Sequence, residues 1–138
     1  MRGHANAIPG LANAMSTDSP VLNIAGSADI KNYSRGIMQE IDQINMAKPV
    51  TKGAWLVHDA MRIPDFISLA IRTSFEGRRG PTHLTIPVDV QSQVVDESAV
   101  RWFDATSTRR TGPVLGSPDQ IAEAVRLLRA AERPLIVA

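Results

Sequence analysis

Histidine, carboxylate and carboxamide side chains are the groups in this chain whose chemistry could serve a site, and their spacing limits what each can do. His4, His58 and His83 stand far apart and show no metal-ligand spacing. His83 falls in a β-rich run and reads as a packed or edge histidine. His58-Asp59 sets a base beside a carboxylate, but no serine lies in a nucleophile-elbow context, so hydrolase chemistry is not indicated. Glu40 and Asp42 could share a hard cation, yet two carboxylates without further oxygen ligands make a weak site. A solvated or helix-capping role suits them better. Asn6 and Gln39 carry amides, which can hydrogen-bond a ligand but are not useful bases at neutral pH. On spacing alone, Asn6 reads as a helix cap and Gln39 as an exposed loop residue. With no Gly-x-Gly-x-x-Gly and no P-loop, a nucleotide fold is not indicated either.

The elements that must position these groups alternate between helix and strand. Ile8, Leu11, Ala12 and Met15 form one apolar stripe and predict a helix over 5–15. Pro9 is tolerable only in or near a first turn, which puts the helix start close to Asn6. Residues 21–25 are short, mostly apolar and closed by Gly26, the pattern of a strand buried on both faces. Residues 27–34 read as a loop. Ile37, Ile41 and Ile44 have a brief helical spacing, and 49–57 include a strand. The clearest helix is 63–76. Ile63, Phe66, Ile67, Ala70, Ile71 and Ser74 line its face, Pro64 and Asp65 suit its first turn, and Gly77 stops it. Gly80-Pro81 then leads into a strand over 82–86.

This alternation predicts an α/β fold, part of a doubly wound, mainly parallel sheet with helices on both faces, incomplete at both ends. Three stretches follow from the change of character along the chain. Residues 1–91 form the first unit, 92–116 an aperiodic linker, and 117–138 the opening helix and strand of a second unit. Ser117, Pro118 and Gln120 give the later helix a capping signature, Ile121, Ala124, Val125 and Leu128 give it a stripe to bury, and 134–138 read as a strand.

Composition excludes several classes. The 138 residues carry 15 Lys+Arg against 14 Asp+Glu, a formal net charge of +1, so there is no electrostatic case for nucleic acid or an acidic membrane face. Arg78-Arg79 and Arg109-Arg110 are isolated pairs that read as solvated turns. Cysteine is absent, which leaves no disulfide framework and no thiolate zinc site. No apolar run approaches the roughly 18 residues of a membrane helix. The first residues lack a signal peptide's apolar core. The expectation is a soluble, cytoplasmic protein.

Gly36-Ile37-Met38-Gln39-Glu40-Ile41-Asp42-Gln43, followed by Lys48-Pro49-Val50-Thr51-Lys52, resembles the loop after the third strand of the pyrimidine-binding domain of thiamine-diphosphate enzymes. The similarity is to the group of acetolactate synthase, benzaldehyde lyase, oxalyl-CoA decarboxylase and 2-hydroxyacyl-CoA lyase. Gly3-His4-Ala5-Asn6 is similar to the second half of the family's Gly-Pro-Gly-x-x-Asn segment, and Gly10-Leu11-Ala12-Asn13-Ala14 to the helix after it. Gly80-Pro81 and Ile86-Pro87-Val88-Asp89-Val90 resemble the close of that domain. Glu132-Arg133-Pro134-Leu135-Ile136-Val137-Ala138 looks like the first strand of the family's middle domain. Order and spacing over nearly the whole chain carry the resemblance, not any single tetrapeptide.

The resemblance implies thiamine diphosphate with Mg2+ as cofactor and a C–C lyase or ligase acting on a 2-oxo acid or an acyl-CoA substrate. Carried over residue by residue, it places Gly3, Asn6 and Gln39 at the cofactor and Met38 beside the substrate, where many acetolactate synthases have phenylalanine. It assigns no catalytic residue and no metal ligand to this chain. The glutamate that exchanges a proton with the cofactor lies before the Gly-Pro-Gly segment in the family, and nothing here corresponds to it. Arg2 stands where the family has proline. The expectation is therefore a fragment, inactive alone, of an enzyme that is at least a homodimer when complete. The competing expectation is a non-catalytic gene remnant, or a split subunit that acts only by docking onto a partner.

Overall fold

Residues 2–38, 40–104 and 115–137 are described by the structure, a computed structural model. Helix α1 (Arg2–Ser16) begins three residues earlier than residue 5 and carries Pro9 in its interior. An internal proline removes one hydrogen bond and costs about 3 kcal/mol. Burial of His4, the residue just before the stretch expected to be helical, anchors the added turn and offsets that cost. The buried face runs through His4, Leu11 and Ala14, whereas Ala12, expected in the stripe, is exposed.

Three strands form a parallel sheet in the order β1-β3-β2. They are β1 (Leu22–Ser27), β2 (Gly53–Leu56) and β3 (Thr82–Pro87). In the register, Asn23 of β1 and Ala54 of β2 both lie beside His83 of β3. This is the expected α/β arrangement, and the sheet is open. The central strand is β3, with Thr82, His83, Leu84 and Thr85 all buried. β1 is an edge strand and is not buried on both faces as its apolar run suggested: Ile24 is 51% exposed. Apolar composition reports a capacity for burial, and position in the sheet decides whether it is used.

Alternate residues of β3 face opposite layers. The Thr82 hydroxyl donates to the Ala70 carbonyl, 3.3 Å away, on α3 (Ile63–Phe75). His83 and Thr85 face the layer of α1 and α2 (Gln43–Ala47). Helix α3 takes the expected form, with Pro64 in its first turn and Gly77 beyond its end at φ 55°. The Lys52 ammonium closes that end by donating to the carbonyls of Thr73, at 2.5 Å, and Glu76. Lys52 thus acts as a helix C-terminal cation.

The helical spacing of Ile37, Ile41 and Ile44 is realised only from Gln43 onward. Residues 36–38 and 40–42 form no helix, and Gly36 has φ 67°. A short helix, α4 (Val88–Gln91), follows β3. Beyond it, Val95, Val100, Trp102 and Phe103 lie against Ile67 and Ile71 of α3 around an apolar groove of about 620 Å3. Part of the aperiodic stretch therefore packs on α3. Arg109 and Arg110 lie outside the described residues, as does Ala138.

Helix α5 (Pro118–Ala130) forms as expected, but the Ser117 side chain makes no capping hydrogen bond. Its stripe is not buried: Ile121, Val125 and Leu128 are 49%, 42% and 45% exposed. Residues 134–137 form no strand, because no neighbouring strand is present among the described residues to accept their ladder.

Candidate functional site at the carboxyl ends of the strands

In an open parallel sheet, ligands bind in the crevice beyond the carboxyl ends of the strands. Here those ends are Ser27, Leu56 and Pro87. A crevice of about 170 Å3 opens there, lined among others by Ser27, Tyr33, Glu40, Gln43, Thr85 and Pro87. A second hollow of about 250 Å3 is lined by Gly3, His4, Asn23, Ile24, Ala25 and Gly26. The second runs along β1, and the two abut at consecutive residues, Gly26 lining one and Ser27 the other.

Gly3 sits in the first turn of α1 and is exposed. A Cβ there would meet nothing within 4 Å, so the protein's own packing does not require glycine. The open face is available to a ligand approaching the backbone. Asn6 is exposed and inside α1, four residues after its first residue. It is not the helix cap, because the helix starts earlier than Pro9 suggested. Met38 is exposed at 86% and lies outside the linings of both hollows. Gln39 lies outside the described residues. Its neighbour Glu40 lines the crevice.

Both nearby carboxylates have structural work. Glu40 accepts from the backbone N–H groups of Ser34 (2.5 Å), Gly36 (2.9 Å) and Ile37 (3.3 Å). It holds the loop whose Ser34 and Gly36 have positive φ. Asp42 caps α2, accepting from the Asn45 backbone N–H at 2.9 Å and from its side-chain amide. These two bonds hold the Asp42 pKa below the usual carboxylate value. No group of three or more His, Cys, Asp or Glu that could hold a metal occurs among the described residues. Asp59 accepts from the Met61 N–H and caps a short turn, while His58 is exposed.

Beneath the carboxyl ends lies a polar cluster that the residue types did not reveal. His4, Gln43, His83 and Thr85 are 4%, 2%, 0% and 3% exposed. The His4 and His83 rings lie 4.4 Å apart, centroid to centroid. Asn23 Nδ2 is 2.8 Å from His83 Nδ1 and 3.3 Å from His4 Nδ1. His83 Nε2 is 2.8 Å from Thr85 Oγ1, which donates to Gln43 Oε1 at 3.0 Å. Gln43 Nε2 donates to the Gly26 carbonyl at 2.8 Å, and the Gln43 carbonyl lies 3.2 Å from His4 Nε2. Burial lowers the His83 pKa from 6.5 to about 4, with the second ring adding to the fall. Burial likewise lowers the His4 pKa, against the opposing effect of its contact with the Gln43 carbonyl. His83 fulfils its expectation as a packed histidine. His4 was legible only as the residue seven before Leu11, on the same helix face.

Comparison with known proteins gives a consistent picture. The family model described as "Thiamine pyrophosphate enzyme, N-terminal TPP binding domain" matches residues 1–46. That stretch contains Gly3, Asn6, Met38 and Gln39. The chain is 39% identical over 138 residues to a 2-hydroxyacyl-CoA lyase of Arabidopsis thaliana, covering 98% of this chain and 24% of that protein. It is 32% identical over 137 residues to an oxalyl-CoA decarboxylase of Escherichia coli K12, covering 98% and 24%. It is 30% identical over 142 residues to a probable acetolactate synthase large subunit of Methanococcus aeolicus, covering 99% and 23%. The chain thus spans about a quarter of the length of the curated relatives it matches.

Proposed function

Because this chain belongs to the thiamine-pyrophosphate enzyme family, we propose that it furnishes the pyrimidine side of a thiamine-diphosphate site in a C–C lyase or ligase. The substrates would be 2-oxo acids or 2-hydroxyacyl-CoA compounds. One observation carries this reading: the start of α1, with Gly3, borders a hollow along β1, and the segment flanking Gln39 borders the crevice at the carboxyl ends of the same parallel sheet. In this reading Gly3 admits the cofactor to the backbone, Asn6 and Gln39 hydrogen-bond it, and Met38 borders the substrate. Bound thiamine diphosphate would supply the carbon nucleophile and electron sink that such C–C chemistry requires.

These residues bind and orient. An amide cannot serve as the proton-exchanging acid or base, and Glu40 and Asp42 are committed to backbone N–H groups. Diphosphate and Mg2+ would be held by other residues of the complete, cytoplasmic, oligomeric enzyme. Within this scheme, 1–91 belong to the pyrimidine-binding unit, 92–116 link, and 117–138 open the middle unit. These 138 residues alone should not decarboxylate pyruvate or cleave benzoin or oxalyl-CoA.

The test joins the 138 residues to the remaining segments of a relative and titrates the product with thiamine diphosphate and Mg2+. Gln39→Ala and Asn6→Ala should each weaken binding about tenfold, the loss of roughly 1.4 kcal/mol. Unchanged binding in both variants would overturn the assignment.

A further inference from the structure

The buried polar cluster is a closed circuit whose proton positions follow from its chemistry. Gln43 Nε2 donates to Gly26 O, so Gln43 Oε1 must be the atom facing Thr85. Thr85 gives its single proton to that oxygen and can only accept from His83. His83 therefore carries its proton on Nε2, which leaves Nδ1 as acceptor for the Asn23 amide. The second amide proton of Asn23 reaches His4 Nδ1, so His4 also carries its proton on Nε2 and donates it to the Gln43 carbonyl. Every group is used in one sense. The circuit begins and ends on Gln43, and no polar side-chain atom buried among the described residues lacks a partner.

The circuit joins the two segments that matter for cofactor binding. His4 follows Gly3 at the start of α1, and Gln43 opens α2 directly after the loop containing Met38 and Glu40. Between them stand only β1 and β3, through Asn23, His83 and Thr85. We propose that His4, Asn23, His83, Thr85 and Gln43 form a neutral-histidine positioning network that fixes the start of α1 against the loop entering α2. This rests on the functional reading above and extends it to residues that do not touch the cofactor.

The charge environment fits neutral rings. From α1, His4 itself bears on His83 and disfavours a second positive charge. From α2, Asp42 is turned to Asn45. From the loop before it, Glu40 is turned to backbone amides. β1 and β3 present Asn23 and Thr85, which are uncharged. No carboxylate among the described residues faces the rings to favour protonation.

Nitrogen-15 NMR of the imidazoles in the cofactor-free chain tests the network without reference to cofactor. At pH 7 both rings should be neutral with the proton on Nε2. A charged ring, or an Nδ1 proton on either, overturns the circuit. Asn23→Asp reverses the bridging group from donor to acceptor and should convert at least one ring to imidazolium at pH 7; unchanged neutral rings overturn the bridging role. In the complete chimera, Thr85→Val should weaken thiamine diphosphate binding about tenfold, while Thr85→Ser, which keeps the hydroxyl, should bind as the parent does. Equal binding by the two variants overturns the positioning role. Failure of the parent itself to bind, with the NMR result intact, overturns the functional reading and the positioning role together, while the proton assignments stand.

Discussion

At the scale of single residues, the histidines show how far residue type alone can mislead. Three histidines far apart in sequence gave no sign that any two of them would meet. Yet two of them, distant in sequence, meet at 4.4 Å because α1 and the central strand β3 each bury one in the same layer. No periodicity announces that, since it depends on which strand becomes central. The consequence is measurable. His83 has a native pKa of about 4 against 6.5 for the free side chain. Between those values the unfolded chain binds a proton that the native chain does not, so stability is full above about pH 6.5 and falls as pH drops toward 4. The loss amounts to on the order of 3 kcal/mol. His83→Gln should flatten this dependence relative to the parent when urea midpoints are compared at pH 7 and pH 4.5. An equally steep acid loss in the variant would assign it to other groups. Glu40 allows a second prediction. Three backbone donors converge on its carboxylate, and hydrogen bonds to a charged group contribute about 1.5–3 kcal/mol. Its exposure places the effect at the low end, so Glu40→Ala should destabilise by about 1–2 kcal/mol, with increased hydrogen exchange at Gly36 and Ile37. Unaltered exchange there would contradict this role.

At the scale of elements, the local signals for α3 and β3 were sufficient, and their boundaries agree within a residue. The capping signature at Ser117 and Pro118 likewise gave the start of α5. Two failures share a different cause. Pro9 argued for a late start to α1, but local propensity yielded to the tertiary burial of His4. Residues 21–25 were read as doubly buried, but a strand's burial belongs to its neighbours, and β1 lies at the edge. The family-like segment containing Lys52 has a structural explanation independent of any ligand. Its ammonium donates to two carbonyls at the end of α3, and the Lys52 backbone N–H bonds the Pro81 carbonyl at 2.8 Å. Lys52→Met keeps the aliphatic stem and removes only the charge. It should lower stability by about 1 kcal/mol, and part of the loss should persist in high salt because the bond to the Thr73 carbonyl is partly buried. A variant melting at the parent's temperature would show that the end of α3 does not need this cation.

For the whole molecule, the parallel architecture was legible because strand and helix alternate, but the exposure pattern was not. β3 is largely covered, while apolar side chains remain exposed on β1 and along α5. Ile121, Val125 and Leu128 recur at i, i+4 and i+7, and so share one face of α5. Leu135, Ile136 and Val137 add further exposed apolar surface, each more than 70% exposed. Large contiguous apolar patches on a soluble chain drive association. At roughly 25 cal/mol per Å2 of apolar area covered, modest burial between copies would offset part of the cost of pairing. The 138-residue chain should therefore self-associate in sedimentation velocity experiments as its concentration rises. Val125→Lys together with Leu128→Lys should shift the distribution toward monomer. Their effect on the melting temperature should be small, because none of the α5 residues is buried in the core. Association unchanged in the double variant, but reduced by Ile24→Lys on β1, would move the sticky surface from the helix to the open edge of the sheet.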